Sequence, residues 1–156
     1  VEDDVAAAVA LATDAFGRLD VMFNNAGIGG AFGPITEIEV DHWDATFAVL
    51  VRGVFLGTKH AIPHLAERAG RWHGGAAIVN VSSLGALWGR PGSAAYAPSK
   101  AAVTTLSKQM ALEWAAQERE IEARADALGH RRQLVHQFHR HQLVRLRDVA
   151  ARNAKC

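Results

Sequence analysis

Tyr96 and Lys100 stand four residues apart, and Ser83 lies thirteen positions before the tyrosine, in the stretch SLGALWGRPGSAAYAPSK (83–100). On a helix beginning near Ala95, residues at that four-residue spacing share one face, a turn apart. A phenol has an unperturbed pKa of about 10, so at neutral pH it is protonated and a poor base. An ammonium held beside a phenol favours the phenolate, and each unit of pKa is worth about 1.4 kcal/mol. A hydroxyl such as that of Ser83 can hydrogen-bond a substrate oxygen while the tyrosine moves the proton. This is chemistry for interconverting an alcohol and a ketone.

Tyr and Lys at this spacing also occur on solvated helix faces, so the surroundings carry the argument. The apolar run Ala76–Val81 (AAIVNV) predicts a buried strand ending in Ser82 and Ser83. A glycine-rich loop follows, then a small-residue helix. Earlier, Asn24-Asn25-Ala26-Gly27 closes a second apolar strand, Leu19–Phe23. Taken alone, NNAG reads as a strand-ending turn, since Asn and Gly are common there. At the carboxyl end of a strand in an open α/β sheet it also lies where ligands bind.

Together, NNAG and S-x12-Y-x3-K resemble the short-chain dehydrogenase/reductase family, over about Val1 to Gln117. The resemblance implies an α/β fold, a partial doubly wound Rossmann-type parallel sheet with flanking helices. It implies NAD or NADP as cofactor and a small-molecule alcohol or carbonyl compound as substrate. Tyr96 would be the acid/base, Lys100 would assist it and hold the nicotinamide ribose, and Ser83 would position the substrate oxygen. Asn25, Ala26 and Gly27 would line the adenine-side ribose, completing a cofactor set with Tyr96 and Lys100. Helices over 42–66 and 95–117 would form a homo-oligomer interface.

Two departures stand out. Aligning on Phe47-Ala48-Val49 and Val51-Arg52-Gly53 places Leu50 where the family usually has an asparagine that bends the helix and orders a proton-relay water. The T-G-x-x-x-G-x-G turn that seats the pyrophosphate, and the residue that separates NAD from NADP, have no counterpart here. The chain therefore reads as the catalytic middle of an oxidoreductase.

The positioning elements follow from periodicity. Val1, Val5, Val9, Ala12 and Phe16 predict a helix with an acidic first turn, and Gly17 suits its C-terminal cap. Gly27, Gly29 and Gly33 do not form G-x-G-x-x-G and read as a flexible connection. Asp41 is expected to cap a helix bearing Phe47, Leu50, Val51, Val54 and Ala61, with Pro63 kinking or ending it. Gly53, Gly57 and Ala61 form a small-residue row along that helix, suited to close packing. Val103, Leu106, Met110 and Trp114 mark the apolar stripe of the helix carrying Tyr96.

The 156 residues are 49% hydrophobic, enough for one core. There is no uninterrupted apolar run of about 18 residues and no basic, apolar leader, so a soluble, cytoplasmic protein without a membrane partner is expected. The single cysteine, Cys156, supports neither a disulfide framework nor a metal site. Residues 1–117 carry 8 basic and 11 acidic side chains, whereas residues 118–156 carry 9 and 5. The basic part is read as an atypical tail, not the natural continuation of 1–117. Arg124–Gly129 (RADALG) echoes a further strand of the family, and His136, His139 and His141 lack a recognisable metal spacing. A nucleic-acid-binding tail built on Arg131, Arg132, Arg140, Arg145 and Arg147 is the less favoured reading, and no nucleic-acid partner is expected. The alternative to an oxidoreductase is an inactive fragment acting only through helix–helix association.

Overall fold

A computed structural model describes residues 2–68, 76–115 and 121–124 of this chain. Helix α1 (Glu2–Phe16) opens with Glu2, Asp3 and Asp4 in its first turn, where the helix dipole favours anions. Gly17 ends it with φ +67, its N–H donating to Thr13 O at 2.7 Å, a left-handed cap that suits glycine. Val9 is its buried residue, while Phe16, expected on the apolar stripe, is 78% exposed because the chain turns away at Gly17.

Strand β1 (Val21–Asn24) leads through a loop into helix α2 (Val40–Phe47). Asp41 does not cap α2: the N-cap is Glu39, with no side-chain cap bond, and Asp41 lies within the first turn. A π-helical turn (Ala48–Arg52) joins α2 to α3 (Gly53–Arg68) without a break. Pro63 does not end α3, which continues to Arg68. The missing N–H removes one helical bond, and burial of Ala61, Ile62 and Leu65 around it outweighs that loss. By length and composition Val40–Ala66 could cross a membrane, but Leu50, Val54, Leu56, Ala61, Ile62 and Leu65 are buried within the protein, as in a core helix.

Strand β2 (Ala76–Asn80) pairs in parallel with β1, Val21 opposite Ala77 and Asn24 opposite Asn80. Strand β3 (Ile121–Arg124) lies parallel on the other side of β2, giving the order β1-β2-β3. It ends where the RADALG echo begins; the rest of that stretch and the three tail histidines lie outside the described residues. Helix α4 (Tyr96–Ala115) follows β2 through a short 3-10 turn (Leu84–Ala86).

Helices α3 and α4 cover one face of the sheet. Ala61, Ile62 and Leu65 of α3, Ala76 and Ile78 of β2 and Ala111 of α4 form a cluster, with Leu19 and Met22 against it. The other face is more open, with Val21 and Phe23 about half exposed and Ala77 and Val79 half-buried. Strand β2 therefore alternates, where its apolar run predicted burial on both sides. Among the described residues, α1 packs on α3 and no helix covers the second face.

At Gly57 the small-residue row packs α3 against its own sheet. A β-carbon there would overlap the Asn24 side-chain oxygen and come within 2.6 Å of Met22 Cε. That close approach delivers Asn24 into the interior, where its Nδ2 donates to Asn80 Oδ1 (2.8 Å) and Thr58 Oγ1 (3.3 Å). Asn80 Nδ2 in turn donates to Ser107 Oγ at 2.9 Å, and Ser107 to Val103 O at 2.8 Å. One buried polar chain thus ties α3, both strands and α4 together just below the carboxyl ends of the strands.

Candidate active site

Two residues beyond Asn80 the backbone of β2 reaches Ser82, which holds the next helix in place. Its Oγ donates to Lys100 O (3.1 Å) and shares a 2.6 Å hydrogen bond with Thr104 Oγ1. The first turns of α4 are thereby pinned to the end of the strand. Ser83 follows in extended conformation, its Oγ accepting from Gly85 N at 3.1 Å, so it starts the 3-10 turn as a cap. Its hydroxyl hydrogen remains available to a substrate oxygen.

Helix α4 begins at Tyr96, as its spacing to Lys100 requires. Ser99 Oγ donates to Tyr96 O at 2.7 Å and steadies the first turn. A β-carbon placed on Gly85 would lie 3.5 Å from Ser83 Oγ and 3.7 Å from Tyr96 Cε1, so hydroxyl and ring converge on that glycine. Lys100, one turn on, is 5% exposed. Its Nζ donates to Val81 O at 2.8 Å and lies 5.9 Å from the Tyr96 ring centroid. Ser83, Tyr96 and Lys100 are thus brought together, and Tyr96 is half-buried between a buried cation and the protein surface.

Burial pushes the Lys100 ammonium below the ordinary lysine pKa. The charged form is then disfavoured in the folded protein. Below the folded pKa both states hold the proton and folding carries the full cost of burying the charge. As pH rises from the folded toward the unfolded value, only the unfolded state keeps its proton, so stability increases. Chemical unfolding of wild type and Lys100→Met across that alkaline window should show a rising slope in wild type, flattened in the variant. Parallel slopes would contradict the buried-charge account.

Asn25, Ala26 and Gly27 emerge exposed at the carboxyl end of β1. Beneath them lies Leu50, fully buried in the π-helical turn, its Cδ2 at 3.4 Å from where a Gly27 β-carbon would sit. The helix therefore widens at this position with leucine present, and an asparagine side chain is not needed to open the turn. A cavity of about 410 Å3 borders Asn25 and Ala26, running between α1 and α3 past Val5, Val9, Met22 and Gly53. It does not reach Ser83, Tyr96 or Lys100.

Sequence reasoning missed Asn80, Ser82, Thr104 and Ser107, which set the scaffold under the site. One signal was available: an asparagine inside an apolar strand must find a partner or carry a large desolvation cost. Among the described residues no group of three or more His, Cys, Asp or Glu is arranged to hold a metal.

The family model described as short chain dehydrogenase matches residues 1–130. Among curated proteins, 2-(R)-hydroxypropyl-CoM dehydrogenase of Xanthobacter autotrophicus is 40% identical over 116 residues, 73% of this chain and 44% of the relative. Inactive 2-(S)-hydroxypropyl-CoM dehydrogenase 2 of the same organism is 43% identical over 116 residues, 74% of this chain and 48% of its own length. Among solved structures, NAD+-bound xylitol dehydrogenase superposes with TM-score 0.69 at 30% identity, covering 78% of this chain and 44% of that one. ElxO with NADP bound gives TM-score 0.69 at 33% identity, covering 78% and 46%. The chain spans less than half the length of each of these relatives.

Proposed function

Because this chain belongs to the short-chain dehydrogenase family, we propose that it supplies the acid/base site of an NAD(P)-dependent oxidoreductase acting on an alcohol or ketone. The observation that carries the reading is the convergence of Tyr96 and Ser83 on Gly85, with buried Lys100 one turn behind. Ser83 donates to the substrate oxygen. Tyr96 gives its phenolic proton to that oxygen when a ketone is reduced and takes it back when an alcohol is oxidised. Lys100 holds positive charge behind the ring and favours the phenolate form during the transfer.

The cofactor fits the donor set. An ammonium has three N–H groups, and among the described residues Lys100 meets one acceptor, Val81 O. Its remaining donors suit ribose hydroxyls, with Asn25, Ala26 and Gly27 along the same rim. When bound, the nicotinamide supplies the hydride chemistry. Relatives that carry NAD+ or NADP support either cofactor. Exposed Val40, Trp43 and Leu112 on α2 and α4 support association of like chains through these helices. A cytoplasmic location belongs to the same proposal.

The experiment is a chimera in which residues 1–117 replace the matching segment of the active 40%-identical relative. Cofactor-dependent turnover of a secondary alcohol supports the reading. A folded chimera that binds cofactor and turns nothing over favours the inactive, associating alternative, which the inactive relative makes a real competitor.

In the same chimera Leu50→Asn tests the proton route. Leu50 is fully buried beside the Gly27 backbone, so asparagine places an amide there, at a cost of about 1–3 kcal/mol. If the lost asparagine slows proton exchange with solvent, the variant should raise kcat or reduce its solvent isotope effect. Destabilisation with neither kinetic change would make Leu50 a packing residue only.

A further inference from the structure

Beside the catalytic residues a second groove, of about 400 Å3, runs along the start of α4. Its walls include Gly33 and Ile35 from the loop after β1, and Arg90, Ser93, Ala97 and Pro98 from the segment leading into the helix. The two sides are latched together. Gly33 N donates to Gly92 O at 3.1 Å, and Phe32 packs so closely on Gly92 (φ +79) that a β-carbon there would come within 2.6 Å of the ring. The Arg90 guanidinium lies over the Phe32 ring at 5.8 Å from its centroid.

Arg90 is the one charged residue among those lining the groove. Ser93 is 5% exposed, and its hydroxyl has no hydrogen-bond partner among the described residues. A buried hydroxyl without a partner carries a desolvation cost that a bound polar group would relieve. The backbone amides nearby are already committed: Ala97 N donates to Ser93 O and Ser99 N to Ala95 O, while Pro98 has no N–H. The polar groups left for a ligand are thus one guanidinium and one buried hydroxyl, framed by Ile35, Ala97 and Pro98.

We propose that this groove is the subsite for an anionic group on the substrate, making the substrate an oxo acid or hydroxy acid. Arg90 pairs with the carboxylate, whose planar geometry its fork of N–H donors matches. The Ser93 hydroxyl donates to the same group, and the apolar wall covers the carbons between the two ends. Ser93 stands three residues before Tyr96, so an anion held here leaves a carbonyl a few carbons away within reach of the tyrosine. The assignment of the anion to a substrate rests on the oxidoreductase reading; the anion subsite itself is testable without it.

Isothermal titration of the 156-residue chain with levulinate, methyl propyl ketone and inorganic phosphate separates the possibilities. Levulinate carries both a ketone and a carboxylate, the second compound only the ketone, and phosphate only the negative charge. Levulinate should bind at least about tenfold more tightly than either, and Arg90→Gln should abolish that advantage. Arg90→Lys should restore part of it, and Ser93→Ala should weaken levulinate binding without affecting the neutral ketone. Arg90 is exposed, so its variants should keep the wild-type circular dichroism. Undetectable levulinate binding, equal binding of levulinate and the neutral ketone, or an unchanged Arg90→Gln variant would overturn the subsite. Phosphate binding as tight as levulinate would overturn its assignment to a substrate. A chain that binds levulinate through Arg90 yet shows no turnover in the chimera would refute the oxidoreductase reading and leave the anion subsite standing.

Discussion

Tyr96→Phe should lower turnover of the chimera by about 10²–10⁴-fold, the range that positioned general acid–base groups contribute. Cofactor affinity should stay nearly unchanged. The substitution deletes one oxygen and keeps the ring, which packs beside Gly85 and in front of Lys100. The groups that would hold the cofactor, Lys100 and the Asn25–Gly27 turn, keep their own anchors at Val81 and on β1. Binding and chemistry are therefore expected to separate. Lys100→Ala should instead weaken both, because its ammonium serves the ribose and the phenol together. A Tyr96→Phe variant with near-wild-type kcat would remove Tyr96 from the mechanism.

The largest effect on stability is expected at Gly57. Replacing it with valine puts atoms where the Asn24 side-chain oxygen already is, and within overlap distance of Met22 Cε. Either α3 lifts from the sheet or Asn24 swings out of its bonds to Asn80 and Thr58. The first opens the core around Ala61 and Leu65; the second strands a buried amide on Asn80. Both routes lead to a loss of about 3 kcal/mol or more, the sum of overpacking and an unpaired buried polar group. Urea unfolding of the full chain measures it as a lower midpoint or loss of a cooperative transition. Gly53→Ala is the control, since a β-carbon there meets nothing closer than Ala48 O at 3.9 Å. It should be neutral or stabilising by up to about 1 kcal/mol, because alanine is the better helix former. Equal losses at the two positions would contradict the close-packing account.

The catalytic trio was legible because its logic is local. Four residues place Tyr96 and Lys100 on one face, and the strand ending at Ser83 is a single apolar run. The scaffold beneath was not legible. Asn24 bonds a partner 56 residues away and Asn80 one 27 residues away, and no periodicity announces such pairs. Helix caps and breaks failed where tertiary packing overrode propensity: Pro63 lies within a helix held by buried neighbours, and Asp41 falls just inside the helix it was expected to cap. The π-helical turn around Leu50 is a backbone feature with no side-chain signature, so the sequence showed only the missing asparagine. The groove at Arg90 needs two loops, distant in sequence, to be latched by Phe32 and Gly92.

Isotope transfer tests the central claim most directly. The chimera, given a ketone and NADH or NADPH carrying deuterium on the transferable C4 face, should yield an alcohol labelled at the carbinol carbon. Tyr96→Phe, with cofactor bound to the same extent, should yield almost none in the same time. An unlabelled product, or equal labelling by wild type and Tyr96→Phe, would contradict hydride transfer at a site where Tyr96 moves the proton.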